Sequence, residues 1–123
     1  MCLILVIDDE QGITALIREA LQMWGYEVEI ATDGWEGIEK FEKNRHDIVI
    51  TDIRMPGMDG NSVARHIRNS NRNTTPIIGM SGTPWLKDTD DFDMVLSKPF
   101  PLKVLIDSIT NIQNLPQTAA HAH

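Results

Sequence analysis

Charged side chains stand directly after short apolar runs of the sequence, and their types could carry phosphoryl chemistry. Asp8 and Asp9 end the first run, Asp52 ends the third, and Lys98 comes just after the last. Three carboxylates brought together repel one another, and a divalent cation is the usual means of neutralising such a cluster. Oxygen ligands without thiols or clustered histidines favour a hard ion, so Mg²⁺ is expected, with Mn²⁺ as the alternative.

Asp52 is the residue that we expect to react. Aspartate can accept a phosphoryl group covalently, and phosphoryl transfer depends mainly on positioning and charge neutralisation. The metal would cover one phosphoryl oxygen, the Lys98 ammonium a second, and the Ser81 hydroxyl a third, while Gly82 leaves the approach open. No general base is required in this scheme.

The elements that must position these residues are predicted strands alternating with amphipathic helices. Apolar stretches predict strands at 2–7, 27–31, 48–51, 77–80 and 94–96. Apolar residues with helical spacing predict helices at 13–24, at 35–43, around 63–67 and at 102–112. This alternation implies a parallel sheet with helices on both faces, whose strands present ligand-binding residues at their carboxyl ends. All of the candidate residues fall at that edge.

The stretch between Ser81 and Lys98 is short for a strand-to-strand crossover. Thr83 and Pro84 could begin a helix, but aspartates follow soon, so the fourth helix is expected to be shortened or replaced by a loop. Residues 1–114 are expected to form one domain. Residues 115–123 are expected to be a flexible tail or the start of a linker.

Composition excludes several classes of function. The net charge of -7 argues against direct nucleic-acid binding and against docking on anionic membranes by charge alone. The single cysteine, Cys2, rules out an internal disulfide and a cysteine metal cluster. No signal peptide or membrane span is evident, so a cytoplasmic protein is expected.

Four motifs, in order, resemble the receiver domains of two-component response regulators. They are Val-Ile-Asp-Asp-Glu at 6–10, Thr-Asp-Ile-Arg-Met-Pro-Gly-Met-Asp-Gly at 51–60, Met-Ser-Gly at 80–82 and Ser-Lys-Pro-Phe at 97–100. The resemblance covers roughly residues 2–113. It implies a CheY-like, flavodoxin-like doubly wound fold with a five-stranded parallel sheet of order 2-1-3-4-5. It also implies a signalling domain that catalyses only its own phosphorylation and dephosphorylation.

The resemblance implies a role for each candidate residue. Asp52 would be the phosphoacceptor, Ser81 the switch hydroxyl and Lys98 the phosphate-binding lysine, while Asp8 and Asp9 would hold the metal together with Asp52. The donor would be a phosphohistidine on a histidine kinase or a phosphotransfer protein. The protein would be a monomer or a phosphorylation-dependent dimer, and its effector is not indicated.

Some positions qualify the resemblance. The backbone carbonyl of Arg54 would add a metal ligand, and the Arg54 and Thr83 side chains occupy variable positions that influence phosphate lifetime in the family. Val95 stands three residues before the lysine, where family members usually carry Phe or Tyr. The residues that carry out phosphorylation are therefore expected to be intact, whereas the way in which phosphorylation is transmitted to the output surface is expected to be altered.

Several alternatives remain open. Glu10 could be a third acid near the metal, although a favourable charge on the first helical turn is the preferred interpretation. Trp24 and Trp35 are expected to pack against the core. A receiver-like interaction module that works without phosphorylation is the alternative function. An unrelated Mg²⁺ phosphohydrolase is a third, although Arg54 occupies the position where such enzymes usually carry a second acid.

Overall fold

A computed structural model describes residues 2–83 and 89–114. The strands are β1 Leu3–Ile7, β2 Glu27–Ala31, β3 Ile48–Asp52, β4 Ile77–Ser81 and β5 Met94–Ser97. The helices are α1 Gln11–Met23, α2 Gly34–Lys43, α3 Gly60–Arg68 and α4 Leu102–Asn114, so that α4 is the helix after the last strand. Every predicted strand is confirmed, and the four helices stand where amphipathic spacing predicts them.

The strands form one parallel sheet in the order β2-β1-β3-β4-β5. This confirms the predicted fold class. β3 and β4 are buried at every residue because both faces of the sheet are covered by other elements. β2 is the alternating strand, and it lies at the edge of the sheet, where one row of backbone groups has no neighbouring strand.

Two apolar layers hold the helices against the sheet. On one face, α1 and α4 bury Ile17, Leu21, Leu105 and Ile109 against the strands. On the other face, α2 and α3 bury residues that include Phe41, Val63 and Ile67. Successive residues of β1 and β3 point alternately into the two layers, as the period of a strand requires. This packing fixes the direction of each strand and therefore the position of its last residue.

The crossover from β4 to β5 is described only in part. Among its described residues, 82–83 and 89–93, there is no helix. The short helix expected from Pro84 onward falls on residues 84–88, which lie outside the described part of the chain, as do Trp85 and the predicted tail at 115–123. In the described part of the molecule, no helix has both the length and the apolar character that crossing a membrane would require.

An arginine anchors the end of this crossover. The Arg68 guanidinium donates to the Asp93 carboxylate at 2.8 Å and to the backbone oxygens of Asp91 and Thr75 at 3.0 and 2.7 Å. The same Asp93 carboxylate accepts from the backbone N–H of Ile77 at 2.7 Å. The Arg68–Asp93 clamp therefore ties the end of α3 to the starts of β4 and β5.

The prediction that Trp24 and Trp35 pack in the core is wrong. Their side chains are 67% and 68% exposed. Trp24 follows the last turn of α1, and Trp35 stands in the first turn of α2, so each residue lies at a helix end instead of over the sheet. Trp35 rests beside the loop after β3, with its indole nitrogen 3.9 Å from where a side chain on Gly57 would begin.

Candidate functional site

Asp52 is the last residue of β3 and lies among the carboxyl ends of the neighbouring strands. Its carboxylate is largely buried, with 8% of the side chain exposed. The start of α3 presses on the backbone here, because a Cβ on Gly60 would come within 2.3 Å of the Asp52 carbonyl oxygen. Asp59 caps that helix by accepting from the N–H of Ser62 at 2.9 Å. The segment from Asp52 to Gly60 is therefore held between the end of β3 and the start of α3.

Lys98 reaches the same point from the end of β5. Its ammonium donates to Asp8 at 3.1 Å and lies 3.5 Å from an oxygen of Asp52 and 3.8 Å from Glu10. The backbone N–H of Lys98 donates to the Ser81 carbonyl at 2.6 Å, which aligns the ends of β4 and β5. The structure therefore brings Asp8, Asp52 and Lys98 together, as their positions at strand ends predict.

The acid cluster contains Glu10 as well as the predicted aspartates. Carboxylate oxygens of Asp8, Glu10 and Asp52 all lie within 4.8 Å of one another, whereas Asp9 is exposed and outside this group. Glu10 therefore lies beside the two aspartates and just before the first turn of α1, a place compatible with either interpretation of its charge. Glu10 is the N-cap of α1 without a side-chain cap bond, and its backbone N–H donates to Asp8 at 3.0 Å. That turn directs its carboxylate toward Lys98.

Ser81 lies at the end of β4, and its hydroxyl is engaged locally. The hydroxyl donates to the carbonyl oxygen of Thr83 at 3.2 Å and accepts from the N–H of Thr83 at 2.9 Å. The side chain is buried, in register with Ser97 of β5. The structure thus places Ser81 at the expected strand end, with Thr83 as its hydrogen-bond partner.

The site raises the pKa of both Asp52 and Lys98, which disfavours the charged form of the acid and favours the charged form of the base. Burial and the charge of Asp8 raise the pKa of Asp52 to about 6, although Lys98 and a hydrogen bond from the Arg54 backbone oppose the rise. Burial lowers the pKa of Lys98, but its contacts with Asp8 and Asp52 outweigh that effect and raise it overall. Lys98 therefore stays protonated, whereas the negative charge of Asp52 is only partly balanced by the positive charge around it.

This shortage of positive charge is what a divalent cation would relieve. Three carboxylates surround one ammonium, and each offers hard oxygen ligands at the edge of the sheet. The donor set fits Mg²⁺, which is commonly bound by one or two carboxylates with waters and phosphate oxygens completing its coordination. Asp8 and Asp52 are the buried members, and Glu10 is the exposed one.

An apolar groove opens beside the acid cluster. It has a volume of about 490 Å³ and runs between the start of α1 and the loop after β5. Its lining includes Ile13, Leu16 and Phe100, with Glu10 and Lys98 at the end nearest the acids. A surface of this kind combines apolar contact area with access to the charged site.

The chain belongs to the response regulator receiver domain family, whose model matches residues 4–110. Receiver domains are the signalling domains of two-component systems. They bind Mg²⁺ through an acidic pocket and interact with histidine kinases and phosphotransfer proteins. They are signalling domains and not enzymes in the usual sense.

Two curated relatives illustrate where such a domain occurs. The transcriptional regulatory protein TrcR of Mycobacterium tuberculosis is 35% identical over 108 residues, which cover 84% of this chain and 42% of TrcR. The sensor protein EvgS of Escherichia coli K12 is 30% identical over 121 residues, covering 94% of this chain and 10% of EvgS. The chain thus spans less than half the length of these relatives.

Solved structures match over nearly their full length. The response regulator TrrA of Thermotoga maritima, in complex with Mg²⁺ and BeF, is 35% identical with a TM-score of 0.85, covering 91% of this chain and 99% of TrrA. The chemotaxis protein CheY4 of Vibrio cholerae is 30% identical with a TM-score of 0.85, covering 91% and 98%. The CheY-like, flavodoxin-like architecture is therefore confirmed.

Proposed function

We propose that this chain is a phosphorylatable signalling switch in which Asp52 accepts a phosphoryl group from a phosphohistidine donor. One observation carries the proposal. A buried carboxylate with a raised pKa lies 3.5 Å from a lysine ammonium, at the edge of the sheet where two further acids converge. Asp52 shares this ammonium with Asp8 and Glu10, so its negative charge is only partly compensated.

In the proposed reaction, an oxygen of Asp52 forms a bond to phosphorus while the bond from phosphorus to the donor imidazole breaks. The departing ring nitrogen keeps the electron pair. The ring leaves as neutral imidazole when its second nitrogen carries a proton. Lys98 turns from Asp8 toward one phosphoryl oxygen, and the Ser81 hydroxyl leaves Thr83 to donate to another. No general base is needed, since Asp52 reacts as its carboxylate.

The proposed metal ligands are Asp8, Asp9, Asp52 and the backbone carbonyl of Arg54, with Glu10 at the margin of the cluster. When bound, Mg²⁺ (or Mn²⁺) would supply positive charge to the phosphoryl oxygens. Asp9 is exposed, so its participation requires the turn after β1 to bring its side chain inward. The buried Asp8 supports the proposal most directly, because a carboxylate oxygen of Asp8 lies within 4.8 Å of carboxylate oxygens of both Glu10 and Asp52.

The partner that we propose is a histidine kinase or a histidine phosphotransfer protein. The apolar groove beside Glu10 and Lys98 supports this choice, since a protein donor needs contact area next to the acceptor. We further propose that residues 1–114 act as the receiver unit in the cytoplasm and that 115–123 form a tail or linker. The family match over residues 4–110 supports that boundary.

The test is phosphorylation by acetyl phosphate, followed by mass spectrometry of the intact protein. Wild type with Mg²⁺ should gain the mass of one phosphoryl group, and chelation of Mg²⁺ should prevent the gain. Asp52→Asn should show no gain. Asp107→Asn, which alters an exposed acid on α4, should behave as wild type. An equal gain in Asp52→Asn, or no gain in wild type, would reject the proposal.

Val95 favours a second candidate, an interaction module that works without phosphorylation. This residue lies opposite Gly79 in the sheet and supplies a partly buried aliphatic side chain at a position where the family usually has an aromatic ring. Two results together would favour this candidate. Wild type would stay unphosphorylated by acetyl phosphate, and a partner that copurifies with wild type would bind Asp52→Asn equally well.

A further inference from the structure

A polar cleft lies at the amino edge of the sheet, opposite the edge that carries Asp52. It has a volume of about 320 Å³, and its lining comes from the loop before β3, with Arg45 and Asp47, and from the loop before β4, with Asn71 and Arg72. The length of β3, about 15 Å, separates this amino-edge cleft from the phosphorylation site. A concave space of this size suits a small ligand better than a macromolecular surface.

The segments that form the cleft are rich in positive charge, although the chain as a whole is acidic. Residues 40–47 and 65–76 contain six of the chain's eleven lysines and arginines against two acids, whereas the net charge of the chain is -7. Part of this positive charge complements the carbonyl ends of α2 and α3, whose last turns are basic. Arg45 and Arg72 lie beyond those turns, in the loops themselves. The local charge therefore favours a negative ligand.

Arg45 and Arg72 carry their charge without a carboxylate partner among the described residues. The ion pairs of the described part of the chain include a single arginine, that of the Arg68–Asp93 clamp. Asp47 is the one acid in the lining of the cleft, and its carboxylate accepts a backbone N–H from the start of β1 at 2.8 Å. Two cations in one cleft are thus left to share one acid that is already hydrogen-bonded elsewhere.

Neutral groups hold the Arg72 guanidinium in place. It donates to the carbonyl oxygen of Asn44 at 2.6 Å and to that of Phe41, and its central carbon lies 4.3 Å from the centre of the Phe41 ring. Carbonyl groups and a ring orient the cation without cancelling its charge. These bonds leave further N–H groups of the guanidinium for a ligand. A cation that is already oriented loses little side-chain entropy when it binds an anion.

We propose that the amino-edge cleft binds inorganic phosphate. Arg72 and Arg45 donate to phosphate oxygens from the two sides of the cleft, in hydrogen bonds strengthened by opposite charge. The exposed Asn71 amide donates to a further oxygen. Bound phosphate thereby joins the loop before β3 to the loop before β4. The proposal is independent of the proposed function, because the cleft shares no residue with the site at Asp52.

The test is an NMR titration of the isotope-labelled protein with sodium phosphate at neutral pH, at constant ionic strength and with a chelator present. The chelator removes the divalent cations that could hold phosphate at the acid cluster. The backbone amide signals of residues 71–75 should shift and saturate, with a dissociation constant of about 5 mM or lower. Arg45→Gln should raise that constant at least about three-fold, because one charged contact is lost.

Arg18→Gln is the matched control, since it removes one positive charge from an exposed arginine of α1, on the opposite face of the sheet. Its dissociation constant should equal that of wild type. Signals at 71–75 that do not saturate, or an Arg45→Gln variant that titrates as wild type does, would overturn the proposal. A protein that ignores phosphate but binds a single-stranded oligonucleotide through these residues would also overturn it. None of these results bears on the phosphorylation of Asp52, which the mass measurement tests separately.

Discussion

At the scale of single residues, the site is a balance between burial and charge. Asp52 loses solvation and faces Asp8, and one ammonium serves three carboxylates. Each of these conditions makes the folded protein less stable than it would be with a neutral group at position 52. The chain therefore tolerates an unfavourable charge where a phosphoryl group and a cation are proposed to bind.

Asp52→Asn should stabilise the metal-free protein at pH 7 by up to about 3 kcal/mol. The folded-state pKa of Asp52 is raised to about 6 from 3.8. Between these values the unfolded chain has already lost the proton that the folded protein keeps, so wild-type stability falls as pH rises through this window. The advantage of the variant should be complete above pH 6 and should disappear below pH 4.

Urea denaturation in the presence of a chelator, repeated across this pH range, measures the difference. Asp107→Asn provides the control, because its exposed carboxylate should leave the pH dependence of wild type unchanged. A stability advantage of Asp52→Asn that persisted at low pH would show that packing, and not ionisation, is responsible.

The sequence was informative for residues whose positions follow from strand ends. Asp8, Asp52 and Lys98 could be brought together because parallel strands share one carboxyl edge. The position of Glu10 beside Lys98 could not be predicted, since the turn that directs its carboxylate there depends on backbone geometry after β1. Trp24 and Trp35 were misjudged because helical spacing does not indicate which turns of a helix lie over the sheet.

At the scale of elements, the Arg68–Asp93 clamp holds the end of the crossover before β5 against the end of α3. Arg68→Met should lower the free energy of unfolding by about 3 kcal/mol, since the partly buried Asp93 carboxylate loses the Arg68 cation and several backbone oxygens lose a donor. Urea denaturation gives the value. The double variant Arg68→Met/Asp93→Asn should recover part of the loss.

Arg18→Met serves as the control for the clamp, because Arg18 is an exposed arginine on α1. It should change stability by less than about 0.5 kcal/mol. A similarly small effect of Arg68→Met would mean that the loop contacts alone hold the crossover.

Element boundaries were predictable to within a few residues where periodicity was strong. Amphipathic spacing located α1, α2 and α4. The close approach of the Phe92 ring to β4, where a Cβ on Gly79 would lie 3.0 Å from the ring, could not be predicted. It depends on two residues that are distant in sequence, and neither stands out in the pattern of its own element.

At the scale of the whole molecule, metal binding and folding should be linked. Only the folded chain brings the acids together, so Mg²⁺ at 100 times its dissociation constant should stabilise wild type by about 2.7 kcal/mol. Thermal denaturation with and without Mg²⁺ measures the effect, and a chelator should reverse it. Asp8→Asn should lose most of the stabilisation, and equal stabilisation of this variant would place the metal elsewhere.

The contact between Lys98 and Asp8 joins residues that are 90 positions apart. During synthesis, the first strand and its acids emerge long before the lysine that completes their charge balance. A nascent or truncated chain that ends before β5 has the acceptor aspartate but lacks the ammonium beside it. We therefore expect competence for phosphorylation to arise only when the last strand joins the sheet, so that an unfinished chain cannot send a signal.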